Sequence, residues 1–194
     1  RNYYIYFGGL WGGQLQRYRN NKALESAILP EGTEEALPTR VARLREDMME
    51  FAEEPRAVVI LDEDGKPLTA GDTERRFFEA SWMHKYNGKY YMLSSGCTGW
   101  DPNVAEIAVA DSIMGTWKTI GNPCTGPDAD KTFYAQSTYV QPVIGKKDAY
   151  IAMFDRWKKK DLEDSRYVWL PVLVKDGKIT IPWHEKWTLS IFDK

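Results

Sequence analysis

The chain has 194 residues, 43% hydrophobic and 28% charged, with 26 basic and 28 acidic side chains and a formal net charge of −2. That length suits a single domain, 1–194, with a real core. The lack of a basic excess argues against a nucleic-acid partner, and no run approaches the roughly 18 apolar residues of a membrane span, so no membrane partner is expected. Composition departs from the ordinary in its rings: 8 Trp and 11 Tyr, with 13% of residues aromatic. Aromatic residues favour strands, and amphipathic rings also suit sugar sites, where flat ring faces stack on pyranose C–H faces. The two readings are compatible.

Taken in chain order, short β-branched or aromatic runs predict strands at 3–7, 58–61, 90–94, 105–110, 138–143, 150–154, 167–173 and 178–181. Turn pairs bound them: Asp64-Gly65, Asn87-Gly88, Gly145-Lys146 and Asp176-Gly177. Because the first residues already read as a strand, the chain is expected to be a piece of something longer. Residues 20–38 are polar, carry two prolines, and read as an inserted loop. Over 34–53, Val41, Leu44, Met48 and Phe51 fall at helical spacing, although 39–44 fits a strand followed by a turn equally well. A weak repeat places a turn before an aromatic strand at Asn87 and again at Lys147, about sixty residues apart, with Tyr3 to Gly8 as an earlier copy. Repeated four-strand units predict an all-β chain of propeller blades. Blades of about sixty residues give roughly three, whereas propellers have four or more; self-association or a missing N-terminal blade would complete the ring.

Two cysteines, Cys97 and Cys124, are too few for a four-ligand zinc site. They form one disulfide or remain two thiols, and their Gly- and Pro-containing loops favour the disulfide. His84 and His184 have no partner at metal-ligand spacing. Asp62-Glu63-Asp64-Gly65 is acidic but lacks a full calcium loop and reads as a solvated hairpin turn. No metal and no cofactor is expected.

The sharpest chemical feature is Phe77-Phe78-Glu79-Ala80-Ser81-Trp82. A carboxylate between two phenylalanines and a tryptophan is hard to solvate, which disfavours its charged form. A carboxylic acid that keeps its proton near neutral pH is what a glycosidase uses to protonate a leaving sugar oxygen. The alternative is a glutamate at a strand edge with its head in solvent.

These residues resemble glycoside hydrolase family 43, the five-bladed β-propeller glycosidases, over nearly the whole chain. Residues 5–93 are similar to the β-xylosidase branch, through Ile5-Tyr6-Phe7-Gly8-Gly9-Leu10-Trp11, Arg40-Val41-Ala42-Arg43-Leu44 and Phe77 to Tyr86. Residues 94–192 are more similar to the exo-β-1,3-galactanase branch, through Ser95-Gly96-Cys97-Thr98-Gly99-Trp100, Gln136-Ser137-Thr138, Asp155-Arg156-Trp157 and Asp164 to Pro171.

The resemblance implies an inverting glycoside hydrolase acting on a plant polysaccharide or oligosaccharide, of β-xylosidase, arabinofuranosidase or 1,3-β-galactosidase type, with Glu79 as general acid. The usual base is an Asp of the first blade, which no residue here matches. In the galactanase branch a glutamine is proposed to act on water through its imidic tautomer, and Gln136 stands at its place; binding a sugar hydroxyl is the other role open to it. Trp100, in a Gly-rich loop with Thr98, is a candidate stacking platform, and Trp11 is a weaker one. Asp155 and Arg156, at a strand end, are candidate substrate contacts or members of a salt bridge with Asp164 or Arg166. The competing expectation is a catalytically incomplete propeller fragment or chimera with a carbohydrate-binding or structural role.

Overall fold

The computed structural model describes residues 2–8, 39–175 and 177–193. Trp11 and the stretch 20–38 lie outside the described residues. Thirteen strands are present among those described, with one α-helix and three short 3-10 turns.

The strands form three sheets. In the first, β1 (Tyr3–Phe7), β2 (Arg40–Leu44) and β3 (Arg56–Ala57) run antiparallel. The second is a meander of β5 (Glu79–Tyr86), β6 (Lys89–Ser95), β7 (Ala105–Ala110) and β8 (Trp117–Gly121), onto whose last strand β4 (Ile60–Leu61) adds in parallel. The third repeats this plan. A meander of β10 (Gln136–Pro142), β11 (Tyr150–Arg156), β12 (Arg166–Lys175) and β13 (Lys178–Pro182) takes the short β9 (Cys124–Thr125) in parallel on its last strand. The weak sequence repeat is therefore real: Lys89 to Ser95 and Tyr150 to Arg156 are each the second strand of an equivalent meander.

The helix-or-strand ambiguity over 39–53 resolves as strand. Residues 40–44 pair with β1, and Arg45 begins a turn closed by its backbone N–H donating to the Glu50 carbonyl. Four strands (β3, β5, β8 and β9) and the helix were not foreseen. β5 carries charged and polar residues among its aromatics and shows no clean alternation. The seven-residue helix α1 (Ala70–Arg76) is too short for periodicity to show. Its signature lies at the start: the Thr69 hydroxyl accepts from the Asp72 backbone N–H at 3.2 Å while the Asp72 carboxylate accepts from the Thr69 N–H at 3.0 Å, a capping box.

The middle sheet is buried on both faces, because successive side chains of a strand point opposite ways. Met92, Ala108 and Trp117 pack with Val41, Ile60 and Phe77 on one side. Leu93, Ala105 and Ile107 pack with Val140, Ala152, Phe154 and Leu170 of the third sheet on the other. Each large apolar side chain fully buried this way contributes about 1.5–3 kcal/mol. Between these two sheets the His84 ring stacks on Trp82 at 5.3 Å and meets the Tyr150 edge at 5.1 Å. Burial there lowers its pKa.

Cys97 and Cys124 are not joined to each other, which corrects the expected disulfide. Cys124 is buried on β9 within the inter-sheet core, where desolvation pushes its thiol up to about 12; Cys97 stands in the loop after β6. The acidic turn at Asp62 is an ordinary hairpin turn, as expected, with Asp62 Oδ1 accepting from the backbone N–H of Asp64 and Lys66.

The end of α1 is fixed to the middle sheet in two ways. Arg76 grips Glu106 of β7 with Nε at 2.7 Å and Nη2 at 2.9 Å, and also reaches Glu63. Gly96, just after β6, lies so close that a Cβ there would sit 1.7 Å from the Arg75 carbonyl oxygen. Gly96→Ala is therefore expected to cost about 2–3 kcal/mol in denaturant unfolding, since backbone rather than a yielding side chain must move. His84 gives a second expectation. Its neutral form is favoured in the folded state, so its contribution is complete above the unfolded value of about 6.5 and is lost as pH falls through the lower folded value. Thermal unfolding should show a steeper loss of Tm on acidification in the wild type than in His84→Phe.

Candidate active site

Both meanders begin with a residue of chemical interest. Glu79 is the first residue of β5 and Gln136 the first of β10, and the repeat brings these equivalent strand starts together across the seam between the sheets. Gln136 Nε2 donates to Glu79 Oε2 at 3.2 Å and to Ser95 Oγ at 3.1 Å. The Nε2 end of the amide faces both the Glu79 carboxyl and the Ser95 hydroxyl. Both amide hydrogens are thus committed to protein acceptors, and Oε1 is left with no protein partner among the described residues.

Irregular backbone aims both side chains. β5 slips register between Glu79 and Trp82, and Ala80 within that bulge has φ of 51°. Bulges re-aim side chains in this way at the ends of sheets. The bulge is held by hydroxyls: Ser94 Oγ donates to the Glu79 carbonyl at 2.9 Å, and Ser137 Oγ, from the other sheet, donates to the Ala80 carbonyl at 3.0 Å. Before Gln136, three successive residues, Thr132, Phe133 and Tyr134, have left-handed φ of 50°, 59° and 58°. Each costs roughly 1–2 kcal/mol for a residue with a Cβ, so surrounding contacts must over-determine the turn.

Those contacts are specific. Thr132 Oγ1 donates to the Asn103 carbonyl at 2.8 Å and accepts from the Ala105 N–H at 2.7 Å. The Phe133 side chain is buried in the inter-sheet core. Arg156 donates to the Phe133 carbonyl through Nε at 3.1 Å and Nη2 at 2.7 Å.

The loop after β6 is ordered by Asn103, whose side chain accepts from the Gly96 N–H at 3.1 Å and donates to the Gly96 carbonyl at 2.8 Å and to Thr98 Oγ1 at 2.6 Å. Loop and turn enclose a cavity of about 380 Å³ lined by Ser95, Trp100, Asn103, Tyr134, Gln136 and Trp157 among others. Trp100 and Trp157 are about half exposed and meet edge to face at 5.6 Å. They give the cavity an apolar wall beside the polar pair.

Of the residues singled out in the sequence, Glu79, Gln136 and Trp100 come together here: Gln136 and Trp100 line the cavity, and Glu79 meets it through Gln136. Thr98 braces the loop, donating to the Asp101 carbonyl at 2.5 Å. Asp155 stands opposite Gln136 in the β10–β11 register. Arg156 is placed otherwise than expected. It lies over Trp183 at 5.6 Å and borders a separate depression with Phe133 and Glu185, while Asp164 is taken by Arg166 and Lys158. Trp157, Tyr134 and Asn103 were not singled out; Trp157 adjoins Arg156 in sequence, and nothing in the other two residues' local sequence marks them. Among the described residues no group of three His, Cys, Asp or Glu side chains could hold a metal.

Asn103→Ala removes all three bonds that order the loop. The expected cost is about 1–3 kcal/mol, with a changed near-ultraviolet circular dichroism from the Trp100–Trp157 pair and an unchanged far-ultraviolet spectrum.

No protein-family model matches the chain. A xylosidase/arabinosidase of Bacteroides ovatus is 96% identical over 114 residues, 59% of this chain and 34% of that protein. Among solved structures, a β-xylosidase aligns with a TM-score of 0.66 at 45% identity, covering 93% of this chain and 54% of that one. A family 43 β-1,3-galactosidase aligns with a TM-score of 0.68 at 34% identity, covering 80% of this chain and 30% of that one. The chain spans about a third of the length of the curated relatives it matches, 30–38%. Relatives in sequence and neighbours in structure agree, and the family to which the chain is similar is glycoside hydrolase family 43.

Proposed function

We propose that this chain carries the acid half of an inverting glycoside hydrolase that cleaves O-glycosyl bonds of plant polysaccharides or oligosaccharides. The observation that carries the reading is the Gln136–Glu79 hydrogen bond at 3.2 Å, set beside a cavity walled by Trp100 and Trp157. Glu79 is the general acid, delivering its proton to the glycosidic oxygen as the bond breaks. Gln136 has its amide hydrogens occupied and Oε1 without a partner among the described residues, which suits accepting a hydrogen bond from a sugar hydroxyl better than activating water. Trp100 and Trp157 offer ring faces to the apolar face of the sugar, with Thr98 and Asp155 at the margin and Trp11 a further candidate from the sequence.

The relatives' names support both xylose or arabinose and β-1,3-linked galactose as the released sugar. Galactose carries a hydroxymethyl group at C5 that xylose lacks, so room at that position decides between them. The equivalent meanders further support reading the sheets as blades of a five-bladed propeller, of which this chain supplies about three. The outer face of the third sheet fits that reading, because Tyr139 and Trp169, in one cross-strand row through Met153, are each about half exposed and suit a further blade or a second copy of the chain.

The test is turnover of aryl β-xyloside, α-arabinofuranoside and β-galactoside, with xylobiose and β-1,3-galactobiose as substrates whose poor leaving groups need the acid. One sugar should be released, and Glu79→Gln should slow the disaccharide reaction on the order of 10²–10⁴-fold. Unchanged turnover in Glu79→Gln would remove the acid assignment. A folded protein that binds these sugars without cleaving any of them would instead identify a carbohydrate-binding role.

A further inference from the structure

We infer that Arg156 is a positioning residue for Gln136, acting through the left-handed turn Thr132–Phe133–Tyr134 rather than by touching a sugar. The inference rests on Gln136 belonging to the site and goes beyond that reading by naming what holds it there.

Three consecutive left-handed residues with side chains are not a conformation a chain keeps unaided. The turn has three anchors. Thr132 is bonded on both sides to the start of β7, and the Phe133 ring is clamped in the core against Trp183 at 5.2 Å. Between these, the Phe133 carbonyl is turned toward Arg156, which meets it with two donors of one planar guanidinium. A charged, two-pronged donor on a single carbonyl fixes direction as well as distance. Since φ is left-handed at Phe133 and Tyr134, the orientation of that carbonyl sets where Ala135 and Gln136 emerge.

Arg156 is suited to this by its surroundings. Its cross-strand neighbour on β12 is Arg166, a like charge that would destabilise the pair if left alone. Arg166 is drawn off by Asp164, which also binds Lys158. Arg156 is left to the Phe133 carbonyl and the Trp183 ring, with no carboxylate competing for it among the described residues.

The experiment is nuclear magnetic resonance of the side-chain amide of Gln136 in the whole chain, comparing wild type with Arg156→Ala, Arg156→Lys and Arg166→Ala. In the wild type the amide hydrogens should exchange slowly and resonate apart from solvent-exposed glutamines. Arg156→Ala should bring both signals to exposed-glutamine positions while the methyl signals of the inter-sheet core stay in place. Arg156→Lys, which keeps the charge and loses the fork, should shift them part of the way. Arg166→Ala should leave them unmoved. Guanidinium ion at a sub-denaturing concentration should restore the wild-type signals in Arg156→Ala.

If Gln136 keeps its wild-type amide signals in Arg156→Ala, the inference is overturned, whatever happens to Tm. Should Arg156→Ala not fold, Arg156→Lys decides in the same way. Because the readout needs no turnover, silence on the glycoside panel would count against the proposed function alone, and unmoved amide signals against this inference alone.

Discussion

One hydrogen bond, from Gln136 to Glu79, links the two five-stranded sheets at the point where both begin. It joins residues 57 apart in sequence, so it exists only if the two meanders are folded and in register with one another. The core beneath supplies that registration. Leu93, Ala105 and Ile107 lock against Phe154, Ala152 and Leu170, and a densely packed interior transmits a shift in one sheet to the other rather than absorbing it. The geometry of the pair is therefore set by apolar packing beneath it more than by the pair's own attraction, which for a partly buried amide–carboxylate bond is about 1.5–3 kcal/mol.

Equivalence between the sheets explains why the site lies where it does. In each, a short parallel strand, then a helical turn, then a four-stranded meander follow in order. The helical turn precedes the chemically interesting residue in both cases: α1 before Glu79, and the left-handed turn before Gln136. The two turns are stabilised differently. α1 is a regular right-handed helix with a capping box and an arginine clamp at its end, whereas the turn at Thr132 is unfavourable locally and depends on its neighbours. A repeat thus provides two matching positions, and local sequence makes them unlike.

Much of the scaffold was legible in the sequence because strands announce themselves by β-branched and aromatic runs between Gly-containing turns. The edges of β1, β7 and β13 fell within a residue of expectation. The meander's first strand was missed in the second sheet because Glu79, His84 and Lys85 interrupt its apolar pattern, and the bulge at Ala80 breaks the alternation that would mark it. Glu79, Gln136 and Trp100 were readable from residue type, context and resemblance. What could not be read was the work done by Asn103, Thr132 and Ser137. Thr132 and Ser137 act by hydrogen bonds to backbone groups far along the chain, and Asn103 by bonds to Gly96 and Thr98 within its own loop; neither periodicity nor composition records such contacts.

Arg156 shows the same limit from the other side. Its place at a strand end beside Trp157 suggested a sugar contact, and the residue type is right for one. The structure instead commits both of its forward donors to a carbonyl. The two charge-assisted bonds hold the guanidinium as the anchor of a strained turn, so it cannot swing toward a sugar without releasing that turn. Trp157, the next residue along, carries no such commitment and keeps about half its surface open beside the cavity. Two neighbouring residues are thus divided between support and contact: Arg156 ends β11 and meets the Phe133 carbonyl, while Trp157 lies just past the strand beside the cavity.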